Sequence, residues 1–151
     1  MLGTISAANA SAVRIMEVFE AKPQIRQRKS ARKLIRPQGR IGFENVSFTY
    51  KGERSEPVLA DISFVAEPGE TVAIIGATGC GKSTLIHLIP RFYDVSSGRI
   101  TFDGIDVRDL DIRSLRSTVG MALQEAVLFS GTVRDTICYG MKDAGEKEIR
   151  A

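Results

Sequence analysis

The chain has 151 residues, 43% hydrophobic and 26% charged, with 21 Lys and Arg against 18 Asp and Glu. That is length for one ordinary domain with a core, and the composition excludes collagen-like, low-complexity and wholly disordered chains. A formal charge of +3 and an isoelectric point near 9.0 raise the question of nucleic-acid binding, which the placement of the charge argues against.

Taken in chain order, residues 2–21 place Leu2, Ile5, Ala8, Ala12, Ile15, Met16 and Phe19 at three- and four-residue steps, which predicts a helix stopped by Pro23. Residues 22–40 then hold eight basic residues and no acid, while residues 41–151 carry twelve bases against sixteen acids, a net of −4. All the excess positive charge therefore sits in one stretch, bracketed by Pro23 and Pro37, that lacks the apolar area to order itself. It is expected to be a solvated linker, with a polybasic contact to an anionic membrane leaflet as the alternative. In IGFENVSFTY the apolar phase runs Ile41, Phe43, then Val46, Phe48, Tyr50, and the slip at Glu44-Asn45 predicts a turn or bulge in a strand pair. A second strand is predicted over Val58–Ala66, ended by the Pro68-Gly69 turn. TVAII (71–75) reads as a strand buried on both faces, followed by GATGCGKST and an apolar helix to Ile89, limited by Pro90. Strand alternation resumes at Arg99–Phe102, a turn follows at Asp103-Gly104, and Leu110–Leu115 is predicted as a short helix. STVGMALQ (117–124) reads as another buried strand, and a helix is predicted from Thr132.

The two cysteines, Cys80 and Cys138, form no CxxC pair and there is one His, so neither a zinc site nor a disulfide scaffold is expected. The longest uncharged stretch is the thirteen residues Met1–Val13, short of a membrane-spanning helix.

The chemistry is carried by Gly76-Ala77-Thr78-Gly79-Cys80-Gly81-Lys82-Ser83, which fits the phosphate-loop pattern G-x4-G-K-[ST] between a predicted strand and a predicted helix. Gly76, Gly79 and Gly81 let the backbone curl so that its N–H groups form an anion nest. The helix that follows, over Thr84–Ile89, adds its positive end at the same place. Lys82 brings a mobile cation to the β- and γ-phosphates, and the Ser83 hydroxyl can ligate Mg²⁺.

With these residues the chain resembles the ATP-binding cassette (ABC) transporter family, of the exporter type in which membrane helices and ATPase share one polypeptide. FENVSFTY resembles the opening strands and PVLADISFVAEPGETVAIIG the run into the loop. LIPRFYDVSSGRITFDGIDVRDLDIRSLRSTVGMALQEAVLFSGTVRDTICYG resembles the stretch beyond it, and SAANASAVRIMEVFEAKP the end of the last transmembrane helix. The resemblance implies an α/β P-loop NTPase core with an N-terminal antiparallel β subdomain, preceded by a helix. It divides the chain into residues 1–21, the cytoplasmic end of the last transmembrane-domain helix, residues 22–40, a basic linker, and residues 41–151, the N-terminal portion of the nucleotide-binding domain. That portion is expected to run through the Q-loop and to be truncated before the LSGGQ signature, with the Asp-Glu catalytic strand and switch His beyond Ala151.

The resemblance further implies ATP and Mg²⁺ as cofactors. Tyr50 would stack on adenine, and Gly76, Thr78, Gly79, Cys80, Gly81, Lys82, Ser83 and Thr84 would hold the phosphates. Ser83 and Gln124 would hold the metal, with Lys82 and Gln124 serving catalysis. Implied partners are the transmembrane domain and a second nucleotide-binding domain, in a homo- or heterodimer on the cytoplasmic face of the cell membrane. Asp103 is followed by Gly104 and not Glu, so it is expected to be a turn residue, and His87 a packing residue on the helix. A P-loop kinase or GTPase is the alternative enzyme class, but about 75 residues precede this loop and no guanine-reading NKxD follows. A nucleic-acid module is the other alternative, and no nucleic-acid partner is expected.

Overall fold

A computed structural model of the chain describes residues 2–21, 23–50, 56–122, 130–140 and 145–150. They divide into two units, Met1–Val119 and Gly120–Ala151. In the first, α1 (Leu2–Glu20) leads through an extended segment to β1 (Ile41–Phe48) and β2 (Leu59–Ala66). After these come α2 (Lys82–Leu88), β3 (Ser97–Phe102), β4 (Ile105–Asp106), a 3-10 turn at Val107–Asp109, and α3 (Ile112–Thr118). The strands form one antiparallel sheet in the order β2-β1-β3-β4. Among the described residues no helix is long and apolar enough to cross a membrane, and on α1 Val13, Ile15, Met16, Val18 and Phe19 are all exposed.

The phase slip read at Glu44-Asn45 is a bulge in a single strand. From Phe43 to Val46, β1 advances three residues while β2 moves two, from Phe64 to Ile62; from Val46 to Phe48 the count reverses, with β2 moving from Ile62 to Leu59. The extra residues sit at Asn45 and Asp61, both left-handed with φ of 47° and 51°, a conformation that short polar side chains tolerate. The Asn45 amide Nδ2 donates to Asp61 Oδ1 at 2.8 Å, which ties the two irregularities together. The bulge re-phases the strand so that Phe43, Val46 and Phe48 all face the core. There they meet Leu59, Ile100 and Phe102 from the sheet and Leu85 and Leu88 from α2, with Val107, Leu110 and Leu115 completing the cluster.

Two expectations are corrected. TVAII is not a buried strand: residues 71–75 have no strand partner, and Val72, Ile74 and Ile75 are exposed, Ile75 at 94%. A parallel strand buried on both faces needs bonded neighbours and covering layers, and none of the described residues supplies them. STVGMALQ likewise forms no strand among the described residues. Ser117 and Thr118 close α3, residues 119–122 are irregular, and the remainder lies outside the described residues.

The basic segment is also not a free linker. Arg32 N donates to Asp109 O at 2.8 Å and Asp111 N to Arg32 O at 2.7 Å, a parallel bridge onto the body. Leu34 N donates to Ser114 Oγ at 2.9 Å, Gln27 Nε2 to Asp111 Oδ2 at 2.8 Å, and Arg28 pairs with Asp109. The Asp103 carboxylate, in the turn where it was placed, accepts three successive backbone N–H groups from Gln38, Gly39 and Arg40 at 2.8, 3.0 and 2.8 Å. The segment does not order itself by burial, since its side chains are mostly exposed. Instead the acidic body orders it by accepting its donors, which a reading of apolar content alone misses.

Two acids of the body, Asp106 and Asp111, set an acid limit on stability. Burial alone pushes the Asp106 carboxyl up, but the hydrogen bonds and charge of Arg108 outweigh it and hold the group below its ordinary value. Asp111 is lowered first by the backbone N–H of Ser114, at the start of α3, and also by Gln27. Carboxyls lowered in the folded state stabilise it above their unfolded value, about 3.9, and lose that contribution as pH falls through the folded value. The melting temperature is therefore expected to stay level from neutral pH down to about pH 5 and to fall steeply below about pH 4. A melting temperature flat from neutral pH to pH 3 would contradict this assignment.

In the second unit, α4 (Val133–Ile137) starts where predicted. Thr132 and Asp135 form a reciprocal capping box, and α5 (Glu146–Arg150) follows.

Candidate functional site

The loop after residue 75 is shaped by what it packs against. Gly81 is left-handed at φ 94°, and its carbonyl accepts the Leu85 N–H at 2.9 Å to begin α2. A Cβ on Gly81 would lie 2.9 Å from Leu59 Cδ2 and 3.0 Å from the Val58 carbonyl. The loop is thus pressed onto the start of β2 as only glycine allows. Upstream, Thr78 and Gly79 form a tight turn closed by Cys80 N to Ala77 O at 3.3 Å.

Lys82 reaches back across this loop. Its Nζ donates to Gly76 O at 2.9 Å and Ala77 O at 2.8 Å and lies 3.8 Å from Cys80 Sγ. An ammonium has three donors and strong hydration. Here two carbonyl oxygens stand in for water and leave the charge at the loop mouth. Ser83, one residue on, is exposed. Thr84 is only 7% exposed, and its Oγ1 lies 3.0 Å from the Tyr50 hydroxyl.

That bond brings the strand end to the loop. Tyr50, half-buried after β1, meets Phe48 edge-on at 4.8 Å and Tyr93 edge-on at 5.2 Å. Tyr50, Val58, Gly79, Gly81, Lys82, Ser83 and Thr84 line one open cavity of about 360 Å³. Of the residues singled out from the sequence, these are brought together. Gly76 and Cys80 contact Lys82 on the loop itself, Thr78 is in its turn, and Gln124 lies outside the described residues. His87 packs its ring 5.9 Å from Phe92, on the helix away from the cavity lining.

Sequence reasoning missed Tyr93 and Phe48 as neighbours of Tyr50. It counted Thr84 with the phosphate contacts without foreseeing that its Oγ1 lies 3.0 Å from the Tyr50 hydroxyl. The available signal was the aromatic pair at 48 and 50, which had to find ring partners, and the apolar Phe92-Tyr93 just past the helix.

The arrangement has the chemistry to hold a phosphorylated nucleotide: a cation, a glycine-formed loop and an aromatic side chain line one cavity. Among the described residues no three His, Cys, Asp or Glu side chains cluster as a metal cage. Mg²⁺ does not need one, since it keeps waters and takes phosphate oxygens with one or two protein ligands. The exposed Ser83 hydroxyl fits that requirement.

A phosphate loop that opens a helix, joined to an antiparallel sheet ending in an aromatic, defines a P-loop nucleotide-binding protein of the ABC ATPase fold. A family profile described as ABC transporter matches residues 59–151, and the chain belongs to that family. It is 46% identical over 149 residues to the beta-(1→2)glucan export ATP-binding/permease protein NdvA of Rhodopseudomonas palustris, covering 97% of this chain and 24% of that protein. It is 45% identical over 146 residues to the putative multidrug export ATP-binding/permease protein YgaD of Bacillus subtilis, covering 97% of this chain and 25% of that protein. The solved structure of a bacterial Atm1-family ABC exporter with ATP bound aligns with a TM-score of 0.80 at 32% identity, over 97% of this chain and 25% of that one. The chain thus spans about a quarter of the length of these relatives. The kinase and GTPase alternatives are set aside by this membership.

Proposed function

We propose that this chain is the ATP-binding part of an exporter that couples ATP binding and hydrolysis to movement of a substrate across a membrane. The observation that supports it best is the single cavity that joins Tyr50 to Gly79, Gly81, Lys82, Ser83 and Thr84. Tyr50 would stack on the adenine. Gly76, Thr78, Gly79, Cys80 and Gly81 would curl around the phosphates, and Lys82 would exchange its two carbonyl partners for phosphate oxygens. Ser83 and Gln124 would hold Mg²⁺, which when bound neutralises charge on the phosphates and polarises the bond to be broken. The division at residues 21 and 40 follows the same reading: the end of a membrane-domain helix, a linker docked on the body, then the nucleotide-binding domain. Its partners would be the transmembrane domain of the same protein and a second nucleotide-binding domain, at the cytoplasmic face of the cell membrane.

Hydrolysis is the test. Full-length protein in liposomes should turn over Mg-ATP, whereas the 151-residue chain alone should bind it weakly and hydrolyse it little or not at all. Turnover by the chain alone at the full-length rate would overturn this division of labour. A second measurement uses Cys80, an exposed thiol in the loop and 3.8 Å from Lys82 Nζ. Saturating Mg-ATP should protect it from alkylation, and alkylated protein should no longer bind nucleotide. Labelling at the same rate with and without Mg-ATP would place the phosphates elsewhere.

A further inference from the structure

The ring that would meet the base is held from several directions. Tyr50 follows the last residue of β1 by two, where a strand-end side chain ordinarily has rotamer freedom. Here its hydroxyl is fixed to Thr84 Oγ1 at 3.0 Å, on the buried side of α2. Its ring meets Phe48 at 4.8 Å with the planes 83° apart, and Tyr93 at 5.2 Å with the planes 89° apart. Tyr93 also meets Phe48, at 5.6 Å, so the three rings close a triangle. Edge-to-face is the geometry that the ring quadrupole favours. Phe48 is buried in the core and Thr84 belongs to the helix of the phosphate loop. Tyr93 is different: at 38% exposed it is neither core nor loop, and it does not line the cavity that holds Tyr50 and Lys82.

We infer that Tyr93 is a positioning residue for nucleotide binding. It acts through Tyr50 by holding that ring in the one orientation from which it presents a stacking surface to the base, beside the phosphates held by Lys82. This rests on the nucleotide-binding reading above and adds to it a residue outside the binding cavity. A preorganised ring loses less freedom when the base arrives, and loss of that freedom otherwise weakens binding. The role concerns the base alone. A ligand that carries the phosphates without a base has nothing to gain from the orientation of Tyr50.

The test compares ATP with inorganic tripolyphosphate, each as its Mg²⁺ complex, in displacement of a fluorescent nucleotide from the full-length protein. Tyr93→Leu removes the ring and should weaken ATP by about 2- to 10-fold, the range of one edge-to-face ring pair, while tripolyphosphate affinity stays within about twofold. Tyr93→Phe keeps the ring and should restore ATP affinity. Equal weakening of both ligands would mean a general loss of structure and would overturn the inference, as would no change in either. Tyr50→Ala separates this from the parent reading. If it leaves the ratio of ATP to tripolyphosphate affinity unchanged, base stacking on Tyr50 itself fails. If it lowers the ratio and Tyr93→Leu does not, stacking stands and only the role of Tyr93 is lost.

Discussion

Replacing Lys82 by alanine in the full-length protein is expected to lower ATP turnover on the order of 10²- to 10³-fold, the loss found when one preorganised donor to a charged oxygen is removed. The melting temperature should hold. The reason lies in what Lys82 does not do: α2 is anchored by Thr84, Leu85 and Leu88, which are buried, and among the described residues the Lys82 ammonium bonds the loop. Its two bonds to the Gly76 and Ala77 carbonyls set a charged donor against neutral acceptors at an exposed site. Bonds from the same ammonium to phosphate oxygens add a charged acceptor to the charged donor and gain the attraction of opposite charges. Exchange of the one set for the other is thus favourable, and it brings the charge to where the phosphates lie. Lys82→Arg should recover little, because a planar fork replaces a compact charge held by two carbonyl oxygens at 2.9 and 2.8 Å. Turnover within tenfold of the parent in Lys82→Ala would remove this residue from the phosphates.

Residues differ in how much of their environment the sequence discloses. The phosphate loop was legible because its glycines and Lys82 are demanded by local backbone geometry, which travels with the motif. The slip at Glu44-Asn45 was legible for the same kind of reason: a period-2 pattern cannot change phase without an extra residue. What was not legible depends on partners distant in the chain. The stretch with eight basic residues and no acid looks solvated until Asp103, Asp109 and Asp111, some 65 to 85 positions away, accept donors from Gln38, Arg28 and Gln27. TVAII has the composition of a central strand, yet composition states only that a strand would be favourable there, not which neighbours bond it. Thr84 shows the same limit at one atom. The resemblance implies a place for Thr84 among the nucleotide contacts, and only the fold puts the Tyr50 hydroxyl 3.0 Å from its Oγ1.

Gly98→Ala should be among the most destabilising single-methyl changes in the sheet, by about 2 to 5 kcal/mol when the left-handed backbone cost and the overpacking cost are combined. Gly98 faces the bulge of β1, across the register shift between Glu44 and Ser47. Its φ is 76°, and a Cβ there would lie 2.2 Å from the Asn45 carbonyl oxygen and 2.4 Å from that of Glu44. Both obstacles are backbone, so no side chain can swing aside, and relief would require the bulge to flatten. Flattening it would return Val46 and Phe48 to the opposite phase and take them out of the core, since a one-residue slip exchanges the faces of a strand. The control is built into the chain. Gly104 has nearly the same φ, 79°, with nothing within 4 Å of its Cβ position, so Gly104→Ala meets only the conformational cost, about 1 to 2 kcal/mol. Denaturant midpoints of the two variants, compared at equal slope, isolate the close approach itself. Equal midpoints would mean that β3 can move off the bulge, and that the phase of β1 is set by its pairing with β2 and the Asn45–Asp61 bond alone. A lower midpoint for Gly98→Ala, with nucleotide affinity reduced in step, would tie the bulge to the site. The strand it re-phases is the one that carries Phe48 and delivers Tyr50 to the loop.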